Sequence, residues 1–165
     1  TTLKKLTDNN ANNVSPSLSD DGTVLYFCSD QTSELPHIYR THFPSNTTEK
    51  ITSSGYCTSP SYHQAKSKMV YCKKTGALMQ LYVYDEISKN HTQLTFDDTS
   101  KDECCWSPCG NYIVYSAEKF EKNRIALFNT ITNQQIFLTS AKDDCAYPHW
   151  SPVYAMYPTV NTATN

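Results

Sequence analysis

Short apolar runs recur along this chain, separated by polar stretches rich in turn residues. Val24-Leu25-Tyr26-Phe27, Met69-Val70-Tyr71 and Tyr112-Ile113-Val114-Tyr115 form one set. Ile38-Tyr39, Leu81-Tyr82-Val83-Tyr84 and Ile125-Ala126-Leu127-Phe128 form a second. β-Branched and aromatic residues in runs this short read as buried strands. Successive strand side chains point to opposite sides, so an unbroken apolar run implies burial on both faces. No helical period competes: residues 47–58 and 90–102 carry polar turn chemistry rather than an amphipathic stripe.

The runs belong to a repeat. Large side chains stand at Leu18, Tyr62, Trp106 and Trp150, each 44 residues after the last. Around them, Pro16-Ser17-Leu18-Ser19-Asp20-Asp21-Gly22 aligns with Pro60-Ser61-Tyr62-His63, with Cys104-Cys105-Trp106-Ser107-Pro108-Cys109-Gly110 and with Pro148-His149-Trp150-Ser151-Pro152. A hydrophobic-Thr pair closes each unit, at Leu6-Thr7, Ile51-Thr52, Leu94-Thr95 and Leu138-Thr139. Four short strands in roughly 40–45 residues is the spacing of a propeller blade, a twisted sheet that must pack each apolar face on a neighbour.

The predicted fold is therefore all-β, with β-propeller blades of four antiparallel strands. Three whole blades are expected at residues 12–52, 56–95 and 100–139. Residues 1–7 are expected to supply the last strand of a preceding blade, and residues 146–152 a closing first strand, before a polar tail at 159–165. Asp21-Gly22 and Cys109-Gly110 suit tight hairpins, whereas His63-Gln64-Ala65-Lys66 in the second unit predicts an altered turn. Leu18, Tyr62, Trp106 and Trp150 are expected to be buried at equivalent points on the innermost strands. Propellers close with about four or more blades, so three blades would form an open arc with two apolar end faces. Such an arc is expected to continue upstream in a parent chain, or to self-associate as two arcs of a six-bladed ring.

Composition narrows the chemistry. The chain has 165 residues, 38% of them hydrophobic, and a net charge of −2, which suits one globular domain and leaves no basic excess for a nucleic acid. No run of about 18 apolar residues occurs, so no membrane insertion is expected. The opening Thr1-Thr2-Leu3, without Met or an apolar leader, suits a processed or cut chain. The four Gly residues are far apart, which excludes a phosphate-binding loop or a dinucleotide fingerprint. There is neither a G-x-S-x-G elbow nor an H-E-x-x-H helix, and the five His are scattered, so neither catalysis nor a cofactor is expected.

Seven Cys is an odd number, leaving at least one thiol unpaired within the chain. Cys28 and Cys72, 44 apart with Ser116 as third counterpart, read as small, reduced, buried fillers. A disulfide among Cys57, Cys104, Cys105, Cys109 and Cys145 stays open. Zinc on Cys104, Cys105 and Cys109 with His63 or His149 is disfavoured, because C-C-x₃-C is not a ligand spacing. Asp97-Asp98, Asp102-Glu103 and Asp143-Asp144 fall in corresponding loops and read as a solvated rim, or as an acidic ring for a basic partner or a cation. Asn46-Thr47-Thr48 and Asn90-His91-Thr92 fit the glycosylation sequon and read as chance matches.

The unit of Pro-x-Trp-Ser-Pro, apolar strand, Ile-Tyr strand and Leu-Thr resembles the propeller repeat of the TolB family. The segment Lys5-Leu6-Thr7-Asp8-Asn9-Asn10-Ala11-Asn12-Asn13 before Pro16 is similar to a blade junction of that family, and Tyr147-Pro148-His149-Trp150-Ser151-Pro152 to its final strand. The resemblance implies a periplasmic, non-catalytic, six-bladed propeller of the Tol-Pal system. It would bind a Pal-type peptidoglycan-associated lipoprotein and other Tol proteins and support outer-membrane integrity. Family contacts cluster in the loops leading into each blade's first strand. Here these are Asn13, Val14 and Ser15, then Thr58 and Ser59, Asp102 and Glu103, and Ala146 and Tyr147. The acidic residue the family often carries before the Pro is matched by Glu103, whereas Ser15, Ser59 and Tyr147 stand in the other units. Prolyl-oligopeptidase-type propellers share a related motif, so the alternative is an accessory, substrate-gating propeller of a serine peptidase.

Overall fold

The computed structural model describes Leu3 and residues 5–151. These form three four-stranded antiparallel sheets, each with its strands in chain order. The first holds β1 (Asn13–Leu18), β2 (Val24–Ser29), β3 (His37–His42) and β4 (Thr47–Lys50). The second holds β5 (Cys57–His63), β6 (Lys68–Thr75), β7 (Leu78–Asp85) and β8 (His91–Gln93). The third holds β9 (Ser100–Trp106), β10 (Tyr112–Lys119), β11 (Lys122–Asn129) and β12 (Gln134–Phe137). The first strands β1, β5 and β9 lie against one another in turn, so the sheets fan outward like propeller blades.

The repeated polar residues close the turns. Ser19 N donates to Val24 O at 2.8 Å, Gly22 N donates to Ser19 O at 2.9 Å, and Ser19 Oγ accepts from Val24 N at 2.9 Å. Ser107 repeats the arrangement: its N donates to Tyr112 O at 2.8 Å, Gly110 N donates to its O at 2.8 Å, and its Oγ accepts from Tyr112 N at 3.0 Å. Gly22 and Gly110 sit at φ of 71° and 68°, where a Cβ is disfavoured. The second sheet departs as expected, with a 3-10 turn at Gln64–Lys66 capped by Ser67 at φ 50°. The Thr of each hydrophobic-Thr pair lies just beyond a fourth strand and acts as a ladder acceptor. Thr52, Thr95 and Thr139 Oγ1 accept from the backbone N of Ile38, Leu81 and Ile125, each at 3.0 Å.

Burial explains the unbroken apolar runs. Met69 and Tyr71 pack toward the first sheet with Tyr26, Cys28 and Ile38, while Val70 and Cys72 pack toward the third with Trp106, Ile113 and Tyr115. The first–second interface also buries a polar cluster. Tyr26 OH donates to Glu86 Oε1, Arg40 pairs with the same oxygen at 2.6 Å, and Tyr62 OH donates to Glu86 Oε2 at 2.5 Å. Burial alone pushes the Glu86 carboxyl up, but the Tyr26, Tyr62 and Arg40 hydrogen bonds outweigh it and hold the pKa below its usual value.

Several expectations need correction. Trp106 is 7% exposed, but Leu18 is 55% exposed and Tyr62 and Trp150 are half-buried. Tyr62 packs on the first sheet, Trp106 on the second and Trp150 on the third, whereas the described residues place no sheet before Leu18. Residues 5–7 and 146–151 form no strand, since neither segment has a ladder partner among the described residues. Pro152 and the tail 159–165 lie outside the described residues. The far face of the first sheet is not bare: Leu25, Phe27 and Tyr39 are buried, with Phe27 and Tyr39 stacked at 5.8 Å and Phe43 packed beside them. All seven Cys are free, and Cys28 and Cys72 are buried. The close sulfur approach is Cys72 Sγ to Cys104 Sγ at 3.7 Å, a pair that the 44-residue alignment does not bring together. Among the described residues no helix is long and apolar enough to cross a membrane.

Two predictions follow from this packing. Trp106→Ala should destabilise the chain by about 3–5 kcal/mol, the range for deleting a large core aromatic, measured by urea unfolding. The depressed pKa of Glu86 means its contribution is full above the ordinary carboxylate range, roughly pH 4.3, and is lost as pH falls through the folded value. Glu86→Gln should therefore be less stable at pH 7 and lose less stability than the wild type between about pH 5 and 3. Parallel acid-unfolding curves for the two proteins would refute this.

Candidate functional site

The loops singled out from the sequence lie at one end of the fan, where the first strands begin. Each first strand carries a bulge there. The β1–β2 register steps from Val14↔Cys28 to Ser17↔Tyr26, and the β5–β6 register from Thr58↔Cys72 to Ser61↔Val70. In β9–β10 it steps from Asp102↔Ser116 to Cys105↔Val114. Two residues on the inner strand thus oppose one on its partner, as Ser15 and Pro16 oppose Phe27, which inserts one extra residue and re-aims a side chain. Ser15, Ser59, Glu103 and Tyr147, spaced by 44, hold φ at 52°, 52°, 54° and 59°. None is glycine, so each left-handed backbone costs about 1–2 kcal/mol that its surroundings must offset.

Side-chain hydrogen bonds between blades supply part of that offset. Ser59 Oγ donates to Asp102 Oδ1 at 2.6 Å, and the same oxygen accepts from Glu103 N at 2.8 Å. Glu103 Oε2 accepts from Ser116 Oγ at 2.6 Å and from Tyr147 N at 2.5 Å, clasping the segment after the third sheet. Ser116, the third counterpart of Cys28 and Cys72, is thus the polar support of Glu103. Further along the strands, Ser17 Oγ accepts from Tyr62 N at 3.0 Å and Ser61 Oγ from Trp106 N at 3.1 Å. Where Cys105 replaces that Ser, its carbonyl accepts from Trp150 Nε1 at 3.2 Å instead.

Two cavities adjoin the predicted residues. One of about 340 Å³ runs along the first strands and is lined by Ser15, Ser59, Glu103 and Tyr147. Another of about 440 Å³ lies between the second and third sheets and is lined by Thr58, Asp102, Glu103, Ala146 and Tyr147. Asn13 and Val14 line neither: Asn13 Nδ2 donates to Asn9 Oδ1 at 2.7 Å, and Val14 points to solvent. Thr58 Oγ1 and Asn13 Oδ1 are buried without a partner among the described residues.

The larger cavity is acidic. Asp102, Glu103 and Glu118 line it. Lys101 lines it too, but its ammonium is turned away onto Asp97 and onto Thr99 O and Oγ1 at 2.7 and 2.6 Å. Burial lowers the Lys101 pKa; burial alone would raise that of Asp97, but bonds from Lys101, Thr99 and Gln135 hold it well below the usual range. The remaining carboxylates do not form one ring. Asp98 pairs with Lys119 at 2.7 Å, and Asp144 Oδ1 accepts from Asn123 N at 2.9 Å. Lys101 was missed from the sequence because its counterparts Asn13 and Cys57 carry no charge, and Glu118 because Lys74 stands at its counterpart in the second unit. Among the described residues no group of three or more His, Cys, Asp or Glu could hold a metal ion.

Comparison with known proteins agrees with this architecture. No curated protein matches the chain. Among solved structures, TolB from Acinetobacter baumannii superposes with a TM-score of 0.73 at 21% identity, over 86% of this chain and 36% of that one. A putative TolB from Agrobacterium tumefaciens gives 0.69 at 18% identity, over 81% and 51%. The β-propeller domain of the Trilobed protease from Pyrococcus furiosus gives 0.61 at 11% identity, over 79% and 44%. The chain thus spans about a third to a half of the length of these chains, and the likeness establishes the fold. Residues 1–154 match the TolB beta propeller domain, and the chain belongs to that family.

Proposed function

We propose that this chain is a non-catalytic, protein-binding part of a six-bladed propeller in the Tol-Pal system of the periplasm. It receives a Pal-type peptidoglycan-associated lipoprotein at the end where the first strands begin, acts with other Tol proteins, and supports outer-membrane integrity. The observation that carries this reading is the acidic cavity between the second and third sheets. Five residues carried over from the family's contact loops, Thr58, Asp102, Glu103, Ala146 and Tyr147, meet in its wall. Tyr147 adds an aromatic side chain that is 81% exposed, a residue type enriched among binding hot spots. The likeness to the Trilobed protease propeller favours a second reading, an accessory propeller gating a serine peptidase.

Glu103 holds Tyr147 as well as carrying charge, so replacing it with Ala confounds binding with loosening. Asp102→Asn with Glu103→Gln removes both charges and keeps an acceptor oxygen at each position. This double variant should weaken binding of a purified Pal-type lipoprotein by about tenfold, or ~1.4 kcal/mol, in calorimetry, with an unchanged melting temperature. Asp102→Ala with Glu103→Ala should weaken binding further. Undiminished affinity in both variants would move the site away from this cavity, and no binding by the wild type would favour the peptidase reading.

A further inference from the structure

Among the described residues, one pair of sulfurs lies in contact. Cys72 on β6 and Cys104 on β9 belong to neighbouring sheets, and their Sγ atoms are 3.7 Å apart within the core that the second and third sheets share. Both are buried thiols. The other sulfurs with a close polar neighbour meet oxygens instead. Cys28 Sγ donates to Cys57 O at 3.2 Å, Cys57 Sγ to Ser54 O at 3.6 Å and Cys105 Sγ to Trp106 O at 3.6 Å, while Cys109 Sγ lies 3.3 Å from Ser107 Oγ.

The repeat makes this pairing particular to one junction. Cys104 stands where Pro16, Pro60 and Pro148 stand in the other units, and Cys72 where Cys28 and Ser116 stand. The corresponding positions are Cys28 and Pro60 between the first and second sheets, and Ser116 and Pro148 after the third. Two thiols therefore meet only between the second and third sheets. Cys104 also sits in the β9 bulge, where it and Glu103 oppose Tyr115 and the ladder is interrupted. A disulfide bond is about 2.05 Å long, so the two sulfurs must approach by roughly a further 1.7 Å. Side-chain rotation at both residues supplies that approach, with the bulge leaving the Cys104 backbone freer to follow.

We propose that Cys72 and Cys104 become joined by a disulfide when the chain folds in an oxidising compartment, and that this bond staples the second sheet to the third. The oxidant is itself a disulfide, of a small thiol or of a protein. One cysteine thiolate attacks it, forming a mixed disulfide and releasing one oxidant thiol. The second thiolate attacks the first cysteine's sulfur, forming the Cys72–Cys104 bond and expelling the second oxidant thiol. Two protein thiols are oxidised, the oxidant disulfide is reduced to two thiols, and these take up the two protons. Burial raises the Cys104 pKa well above that of a free thiol and suppresses its thiolate in the folded chain, so the exchange precedes closure of the two sheets. Cys28 remains a reduced filler, whereas Cys72 does not. The bond fixes the strand that carries Asp102 and Glu103. The proposal rests on the periplasmic part of the function proposed above, and not on what the propeller binds.

Refolding the reduced, denatured chain in a mixture of oxidised and reduced glutathione tests this, and supplying the oxidant keeps the result independent of where the chain resides. The product is quenched with iodoacetamide and digested with trypsin without reduction. Tandem mass spectrometry should find residues 69–73 joined to residues 102–119 through Cys104 in most molecules, with Cys105 and Cys109 alkylated. The oxidised chain should unfold at a urea midpoint about 1 M above that of its dithiothreitol-reduced form, because the cross-link restricts the unfolded chain. Cys104→Ala should abolish that difference; if the variant fails to fold, the peptide map of the wild type still decides. Three results would each overturn the proposal: Cys72 and Cys104 both alkylated after refolding, Cys104 linked to a different cysteine, or an oxidised form no more stable than the reduced one.

Discussion

A sheet whose middle strands are apolar at consecutive positions cannot leave either face in water, and this constraint organises the molecule. Met69 and Val70 are neighbours in sequence, yet one packs toward the first sheet and the other toward the third. Each sheet must therefore be flanked, and the native twist turns a stack of flanked sheets into a fan. Convergence of the first strands follows, and with it the need for small groups at their crossing. Ser17, Ser61 and Cys105 occupy those points: the backbone N of Tyr62 and Trp106 dock on the two hydroxyls, and the Trp150 indole on the Cys105 carbonyl. The cavities lie beside these strands because that is where the fan narrows.

What could be read from the sequence was whatever repeated. The apolar runs and the Thr that follows each fourth strand recur once in every unit, and the Ser that closes the hairpin recurs in the first and third, and each proves to have one physical job. Features found in a single unit left no such trace. Glu86 occurs once, and its partners Tyr26 and Arg40 come from the preceding sheet, so nothing local announces the cluster. Leu18 shows a different limit: its motif position matches Trp106, but burial depends on a neighbour that the motif does not encode. The left-handed backbone at Ser15, Ser59, Glu103 and Tyr147 was also silent, since none of these residue types signals positive φ as Gly or Asn would. The interval did place those four residues in register; their geometry emerged only from the structure.

The acidic cavity combines two demands on the same side chains. Glu103 fixes Tyr147 through its carboxylate, and Asp102 fixes Ser59, so these charges are held in place before any partner arrives. Such fixing lowers the ordering cost of binding, but it also commits the oxygens to internal donors. The cavity therefore offers a partner negative potential and shape more than vacant acceptors. Under the proposed function, such a surface would select by charge and contour, with Tyr147 as its projecting contact.

The docking of each first strand on the segment one unit later has a consequence for how the chain reaches its fold. Ser17 meets Tyr62, Ser61 meets Trp106 and Cys105 meets Trp150, each across 45 residues. No sheet waits for a distant part of the sequence to complete its interface with its successor; each needs only the next unit to appear. Assembly can then advance one unit at a time in the direction of synthesis, with every newly emerged sheet finding its template already formed.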